Sequence, residues 1–195
     1  MTKVVGLIGG IGAGKSAVAR ALADRGALVL DSDADAKLAL DRPDVRATLE
    51  QWWGSDVISA DGRIDRRAVA AIVFNAPEER RRLEAIIHPI LKADRAKAVA
   101  AARARGVEVV VIDAPLLLEA GVDRECDAVL FVDAPREIRL ARVKATRGWD
   151  EAELSRREAA QLPLAEKRAR ANSVIVNDGD QAALTARVDE WLRSL

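Results

Sequence analysis

Eight consecutive residues, Gly9-Gly10-Ile11-Gly12-Ala13-Gly14-Lys15-Ser16, carry the clearest chemistry in the chain. They fit the pattern G-x-x-x-x-G-K-[ST], with Gly9, Gly14, Lys15 and Ser16 in the fixed places. Glycines let the backbone take positive φ and approach a ligand closely, so that successive N–H groups converge on phosphate oxygens. Lys15 is a compact charge for β- and γ-phosphates, and the Ser16 hydroxyl is a hard oxygen suited to Mg²⁺. The expected ligand is a nucleoside triphosphate held by Ile11, Gly12, Ala13, Gly14, Lys15 and Ser16. The competing reading is a glycine-rich turn that merely caps a helix.

Three further groups of residues have types and positions suited to the same chemistry. Asp31-Ser32-Asp33-Ala34-Asp35 places three acids in five residues. Asp31 or Asp33 would cap a helix beginning at Ala34, or one of them would face the loop, accept a proton from a hydroxyl acceptor or hold Mg²⁺. Asp113 ends an apolar run and precedes Ala114-Pro115; it is either a turn aspartate or a carboxylate that holds the metal, directly or through water. From Arg136 to Arg170 the chain concentrates Arg139, Arg142, Lys144, Arg147, Arg156, Arg157, Lys167, Arg168 and Arg170. That density suits a lid closing over triphosphate, or a solvated, salt-bridged helical hairpin. The single histidine, His88, precedes Pro89, with a packed or capping role as the alternative to a binding one.

The elements that must position these groups follow from hydrophobic patterning. Short apolar runs at Val4 to Ile8, Leu28 to Leu30, Val109 to Ile112, Val129 to Val132 and Val174 to Val176 alternate with helical segments. Such runs suit strands buried on both faces, in a parallel sheet with right-handed crossovers and ligands at its carboxyl edge. The fold class is therefore α/β: a five-stranded parallel sheet flanked by helices, of the P-loop NTPase type. Residues 41–105 are too long for one crossover and read as a helical insertion suited to an acceptor. Residues 1–40, 106–135 and 171–195 form the nucleotide-binding core, and 136–170 the lid region. Within the insertion Glu78 and Arg82 have i, i+4 spacing.

Composition narrows the partners. The 195 residues carry 31 Lys plus Arg against 31 Asp plus Glu, so no overall basic excess points to nucleic acid or an anionic membrane. Cys126 is alone, which rules out an internal disulfide and fits a reducing compartment. No stretch reads as a signal peptide, and the most apolar region, Val107 to Val122, is broken by Glu108, Asp113, Pro115 and Glu119. A cytoplasmic location is expected.

Taken together, the chain resembles the dephospho-coenzyme A kinase family over nearly its whole length. The resemblance is carried by Gly6 to Ser16, Asp31-Ser32-Asp33, and Gly62-Arg63-Ile64-Asp65-Arg66-Arg67 leading to Ile72-Val73-Phe74. It continues through Leu83-Glu84 with His88-Pro89, Asp113 to Glu119, Arg139-Leu140-Ala141-Arg142, and Gln161 with Glu166-Lys167. It implies phosphorylation of the ribose 3′-hydroxyl of dephospho-coenzyme A by ATP with Mg²⁺, in a core with a helical acceptor domain and a lid. It also implies that Asp33 orients or deprotonates the acceptor hydroxyl, that Arg66 and His88 lie on the acceptor side, and that Arg142 acts with Lys15 on the phosphates. The chain departs from the family at Ile8, where threonine is common, at Thr146, where a second lid arginine is frequent, and at Asn172, where aspartate is usual. Another small-molecule or nucleotide kinase of the same fold is the nearest rival, and a nucleotide-dependent switch a further one. Against a GTPase switch, Asn177 is followed by Asp178 and no N-K-x-D occurs.

Overall fold

Every apolar run expected to be a strand is one in the computed structural model, which describes residues 1–195. The strands are β1 (Lys3–Gly9), β2 (Leu28–Asp31), β3 (Val109–Asp113), β4 (Ala128–Asp133) and β5 (Ser173–Val176). They form one parallel sheet in the order β2-β3-β1-β4-β5. Nine helices accompany them: α1 (Lys15–Ala23), α2 (Ser32–Leu40), α3 (Pro43–Trp53), α4 (Arg66–Asn75), α5 (Pro77–Ala104), α6 (Arg136–Arg147), α7 (Glu151–Ala159), α8 (Leu164–Ala169) and α9 (Gln181–Arg193). The chain divides into two compact units, Met1–Asp31 with Val99–Leu195, and Ser32–Ala98.

The first unit contains the whole sheet, and β1 explains why it is covered on both faces. Alternate side chains of a strand point oppositely. Val5 and Leu7 join Val18 and Leu22 of α1 and Val188 and Trp191 of α9 in one core. Val4 and Ile8 join Ala102, Leu117, Leu118 and Phe131 in the other. Between them Gly6 leaves room for Leu117, whose Cδ1 would lie 2.9 Å from a Cβ there. β2 and β5 are the edges, and β2 is only half-buried. Truncating a fully buried centre residue such as Leu130 to alanine would cost about 2–5 kcal/mol.

The second unit is helical around Ala39, Val45, Leu49, Val57, Ile64, Val69, Ile87 and Leu91. Its α4 begins at a well-made cap: the Asp65 carboxylate accepts from the N–H groups of Arg67 at 2.8 Å and Ala68 at 3.2 Å. Three local expectations are corrected. The helix expected from Ala34 begins at Ser32, which puts Asp33 inside its first turn rather than before it. Arg82 pairs with Glu79, three residues back, and lies over the Trp52 ring at 3.7 Å, so Glu78 is not its partner. His88 is exposed in the middle of α5, which runs through Pro89, so it neither packs in a core nor caps a helix.

Candidate active site

The glycine-rich loop leaves the carboxyl end of the central strand β1 and enters α1 at Lys15. Its glycines are required by contacts as well as by a ligand. Gly14 has φ 91° and ψ 31°, a left-handed conformation, and a Cβ there would lie 2.1 Å from the Asn177 amide nitrogen. At Gly12, φ is 79° and a Cβ would meet the Arg139 carbonyl oxygen at 2.6 Å. The loop is thus moulded against α6 and the end of β5. The N-terminus of α1 carries the positive end of its dipole into the same loop. Lys15 is half-buried and Ser16 exposed.

Carboxylates cluster at the same sheet edge. Asp113 ends β3, paired in register with Leu7 of β1 on one side and with Asp31, the last residue of β2, on the other. Asp133 ends β4. Asp31, which the sequence suits either to cap a helix or to face the loop, is by register the cross-strand neighbour of Asp113.

The cationic segment resolves into distinct roles once partners are assigned. Arg136 pairs with Glu151 and Glu158. Arg156 and Arg157 share Glu153, Arg168 pairs with Asp133, and Arg170 with Glu166. Arg147, the residue next to Thr146, lies over the Trp149 ring at 4.7 Å, and Arg157 over the same ring at 4.1 Å. Thr146 turns back to donate its hydroxyl to the Arg142 carbonyl at 2.7 Å. Arg139 is buried; it pairs with Glu158 and donates to the carbonyls of Ala134 at 3.1 Å and Ile11 at 3.3 Å. Arg142 alone of these arginines turns to the phosphate loop with no carboxylate partner. Its Nη1 donates to the Ala13 carbonyl at 3.2 Å and its Nη2 to Asn177 Oδ1 at 3.4 Å. The salt-bridged hairpin therefore accounts for most of the cations, and Arg142 stands apart.

Asn177, absent from the expected site residues, and Lys167, expected only as one cation of the 136–170 segment, both make buried polar contacts here. Asn177 is buried and bonds the loop; the available signal was its place directly after a strand. Lys167, 2% exposed, reaches Gln161 Oε1 and Glu119 Oε1, each at 3.0 Å. Glu119 also accepts the Leu162 N–H at 3.0 Å, which ties the loop after β3 to the segment before α8. Burial alone would raise the Glu119 pKa, but the Leu162 N–H and Lys167 outweigh it and hold the carboxyl below its ordinary value. Asn172, where aspartate is usual, accepts the Val129 N–H at 2.7 Å through Oδ1, a bond that needs no charge.

In the second unit, Asp33 is exposed in the first turn of α2, two residues along the chain from Asp31. The neighbouring Ser32 hydroxyl is buried without a hydrogen-bond partner. Arg66 opens α4 and donates to Asp41 Oδ2 at 3.0 Å, while Asp41 Oδ1 accepts the Ile64 N–H at 3.0 Å. No hydrogen bond or ion pair joins Arg66 to His88. Arg95, seven residues beyond His88 on α5, is 7% exposed, a buried cation that the helical spacing alone did not single out.

Nowhere do three or more His, Cys, Asp or Glu side chains converge as a protein-built metal cage. The oxygens present, the Ser16 hydroxyl and the Asp113 carboxylate, fit Mg²⁺, which keeps waters and is held through one or two protein oxygens plus substrate phosphates. No helix is long and apolar enough to cross a membrane.

The family model for dephospho-CoA kinase matches residues 3–183. A dephospho-CoA kinase of Deinococcus radiodurans is 46% identical over 191 residues, covering 98% of this chain and 91% of that protein. One from Anaeromyxobacter dehalogenans is 42% identical over 195 residues, 99% of this chain and 92% of that protein. A solved Thermus thermophilus structure superposes with a TM-score of 0.83 at 36% identity, covering 100% of this chain and 98% of that one. The fold is that of the P-loop kinases.

Proposed function

The chain belongs to the dephospho-CoA kinase family, and from that premise we propose that it transfers the γ-phosphoryl group of ATP to the ribose 3′-hydroxyl of dephospho-coenzyme A. The observation that carries the reading is the family match over residues 3–183, with the phosphate loop inside it at the carboxyl end of the central strand. The enzyme is a kinase, and its two substrates are ATP and dephospho-coenzyme A.

In this mechanism the protein supplies position and charge for an in-line displacement. Loop N–H groups from Ile11 to Ser16 hold the phosphates, and Lys15 and Arg142 stabilise charge on the transferred group. Ser16 and Asp113 would hold Mg²⁺, Asp113 through water, and when bound the ion neutralises phosphate charge. Asp33 orients the acceptor hydroxyl and takes its proton. Arg66, already aimed by Asp41, and His88 bind the anionic acceptor. Residues 136–170 act as the lid, 41–105 as the acceptor-binding insertion, and the remaining segments as the nucleotide core. Lid closure excludes water, which would otherwise accept the phosphoryl group. The single cysteine supports a cytoplasmic site of action.

ADP release measured with dephospho-coenzyme A, adenosine, AMP and gluconate as separate acceptors tests this directly. Acceleration by dephospho-coenzyme A well above the others is expected. No acceleration over the acceptor-free ATPase rate would overturn the proposal.

A further inference from the structure

Three atoms of Asn177, directly after β5, link the phosphate loop, the end of β4 and Arg142 in a way no motif predicts. Asn177 donates its backbone N–H to the Asp133 carbonyl at 2.7 Å, which anchors it to β4. Its side-chain Nδ2 donates to the Ala13 carbonyl at 2.8 Å, and its Oδ1 accepts from Arg142 Nη2 at 3.4 Å. The amide orientation follows from its partners: a carbonyl oxygen needs the NH₂ end, and a guanidinium needs the oxygen. The residue is 5% exposed, and Ala13 is 1% exposed.

We propose that Asn177 is a positioning residue of the phosphate loop, which pins the Ala13 carbonyl outward and thereby aims the Gly14 N–H into the phosphate cradle. The reason is peptide geometry. A trans peptide is planar, with its C=O and N–H pointing in opposite directions. Fixing the oxygen of Ala13 on Asn177 and Arg142 therefore fixes the direction of the Gly14 hydrogen. The same device recurs two residues earlier, where Arg139 Nη1 holds the Ile11 carbonyl at 3.3 Å and so aims the Gly12 N–H. Alternate carbonyls of the loop are held from behind, and alternate amides are presented in front. Gly14 suits this arrangement twice, since its left-handed φ shapes the loop and its missing Cβ admits the Asn177 amide.

The two groups on the Ala13 carbonyl are not equivalent. Arg142 carries a charge that a phosphate can compete for, whereas the neutral amide of Asn177 has no such alternative. Asn177 is the group able to keep the carbonyl in place while Arg142 turns to phosphate. Asparagine is also specifically required. An aspartate of the same shape would set a carboxylate oxygen against the Ala13 carbonyl and would draw Arg142 into an ion pair.

This inference rests on reading the loop as a triphosphate site. Its test titrates the full chain and the variants Asn177→Asp and Asn177→Ala with MgATP, inorganic tripolyphosphate and dephospho-coenzyme A, each by calorimetry. Affinity for MgATP and tripolyphosphate is expected to fall at least tenfold in both variants, with affinity for dephospho-coenzyme A within twofold of the parent. Unchanged tripolyphosphate affinity overturns the proposal, and so does a loss of equal size for all three ligands, which a general distortion would produce. Should neither variant fold, the Gly12 and Gly14 amide resonances of the parent protein decide. Both are expected to move downfield with tripolyphosphate, and their failure to respond overturns the proposal. A parent protein that binds tripolyphosphate without phosphorylating dephospho-coenzyme A would instead sink the proposed function and leave this inference standing.

Discussion

Replacing Glu119 by glutamine tests how the loop after β3 is tied to α8 and the residues just before it. The substitution keeps the side chain's size and one accepting oxygen but removes the charge facing Lys167, which is 2% exposed. Removing one partner of a buried ion pair costs about 3–5 kcal/mol. Here the Glu119 side chain is 21% exposed, and both Gln161 and the new amide oxygen can still accept from Lys167, so the expected loss is about 2–3 kcal/mol. Urea unfolding at pH 7 should show it as a midpoint lowered by about 1 M with an unchanged slope. The pH dependence has a definite sign. The Glu119 pKa is depressed in the folded protein, so its stabilisation is fully present above the ordinary carboxylate pKa of about 4.3 and is lost as pH falls through the folded value. The gap between parent and Glu119→Gln should stay constant from pH 8 to 5 and narrow below about pH 4. A loss under about 1 kcal/mol at pH 7, or a gap undiminished at pH 3, would refute the reasoning.

Other perturbations separate the remaining roles. Asp33→Asn should keep MgATP affinity and lower phosphoryl transfer by two or more orders of magnitude; near-normal turnover would remove Asp33 from the chemistry. Gly14→Ala should weaken MgATP binding more than tenfold and destabilise by about 1–2 kcal/mol for the left-handed backbone alone. Combining it with Asn177→Gly should recover part of that stability in urea, because the Cβ and the Asn177 amide compete for one space; strict additivity would contradict the contact. Asp65→Ala removes the α4 cap, with an expected cost of about 1 kcal/mol. Because Arg66 follows that cap, KM for dephospho-coenzyme A should rise while KM for ATP holds, and a change in both KM values would count against the assignment.

The sheet was legible because its strands are apolar runs between turn residues, and burial on both faces requires that pattern. The loop was legible because Gly14, Lys15 and Ser16 are each constrained by local geometry and local chemistry. What was not legible is pairing across long separations. The short-range periodicity that marks a helix is silent on whether Glu119 meets Lys167 or whether Asn177 meets Ala13. The start of α2 was misread for a related reason. Asp31 and Asp33 are both good cap residues in isolation, but the register that ends β2 at Asp31 decides where the helix begins, and that register is set by β3.

The arginine-rich segment shows how a neutral protein can prepare a site for a highly charged ligand. Counting cations there suggested a general attraction for phosphate, yet a cation already held by a carboxylate contributes little further field. Arg136, Arg139, Arg156, Arg157, Arg168 and Arg170 are neutralised in this way: the first two join α6 to α7, Arg168 ties α8 to the end of β4, and the others pair within their own helical turns. Arg142 differs because its partners are a carbonyl and an amide, which hold its direction without cancelling its charge. The sum over the segment is therefore a poor guide, and the useful quantity is the charge left after pairing. On that measure Arg142 is the arginine of the segment that meets the phosphate loop without a carboxylate partner, and the position one turn later on α6 is Thr146. Adding a second arginine there by Thr146→Arg should tighten MgATP binding severalfold if the unpaired charge is what matters. Equal affinity in parent and variant at low salt would show that direction, rather than charge, limits the site.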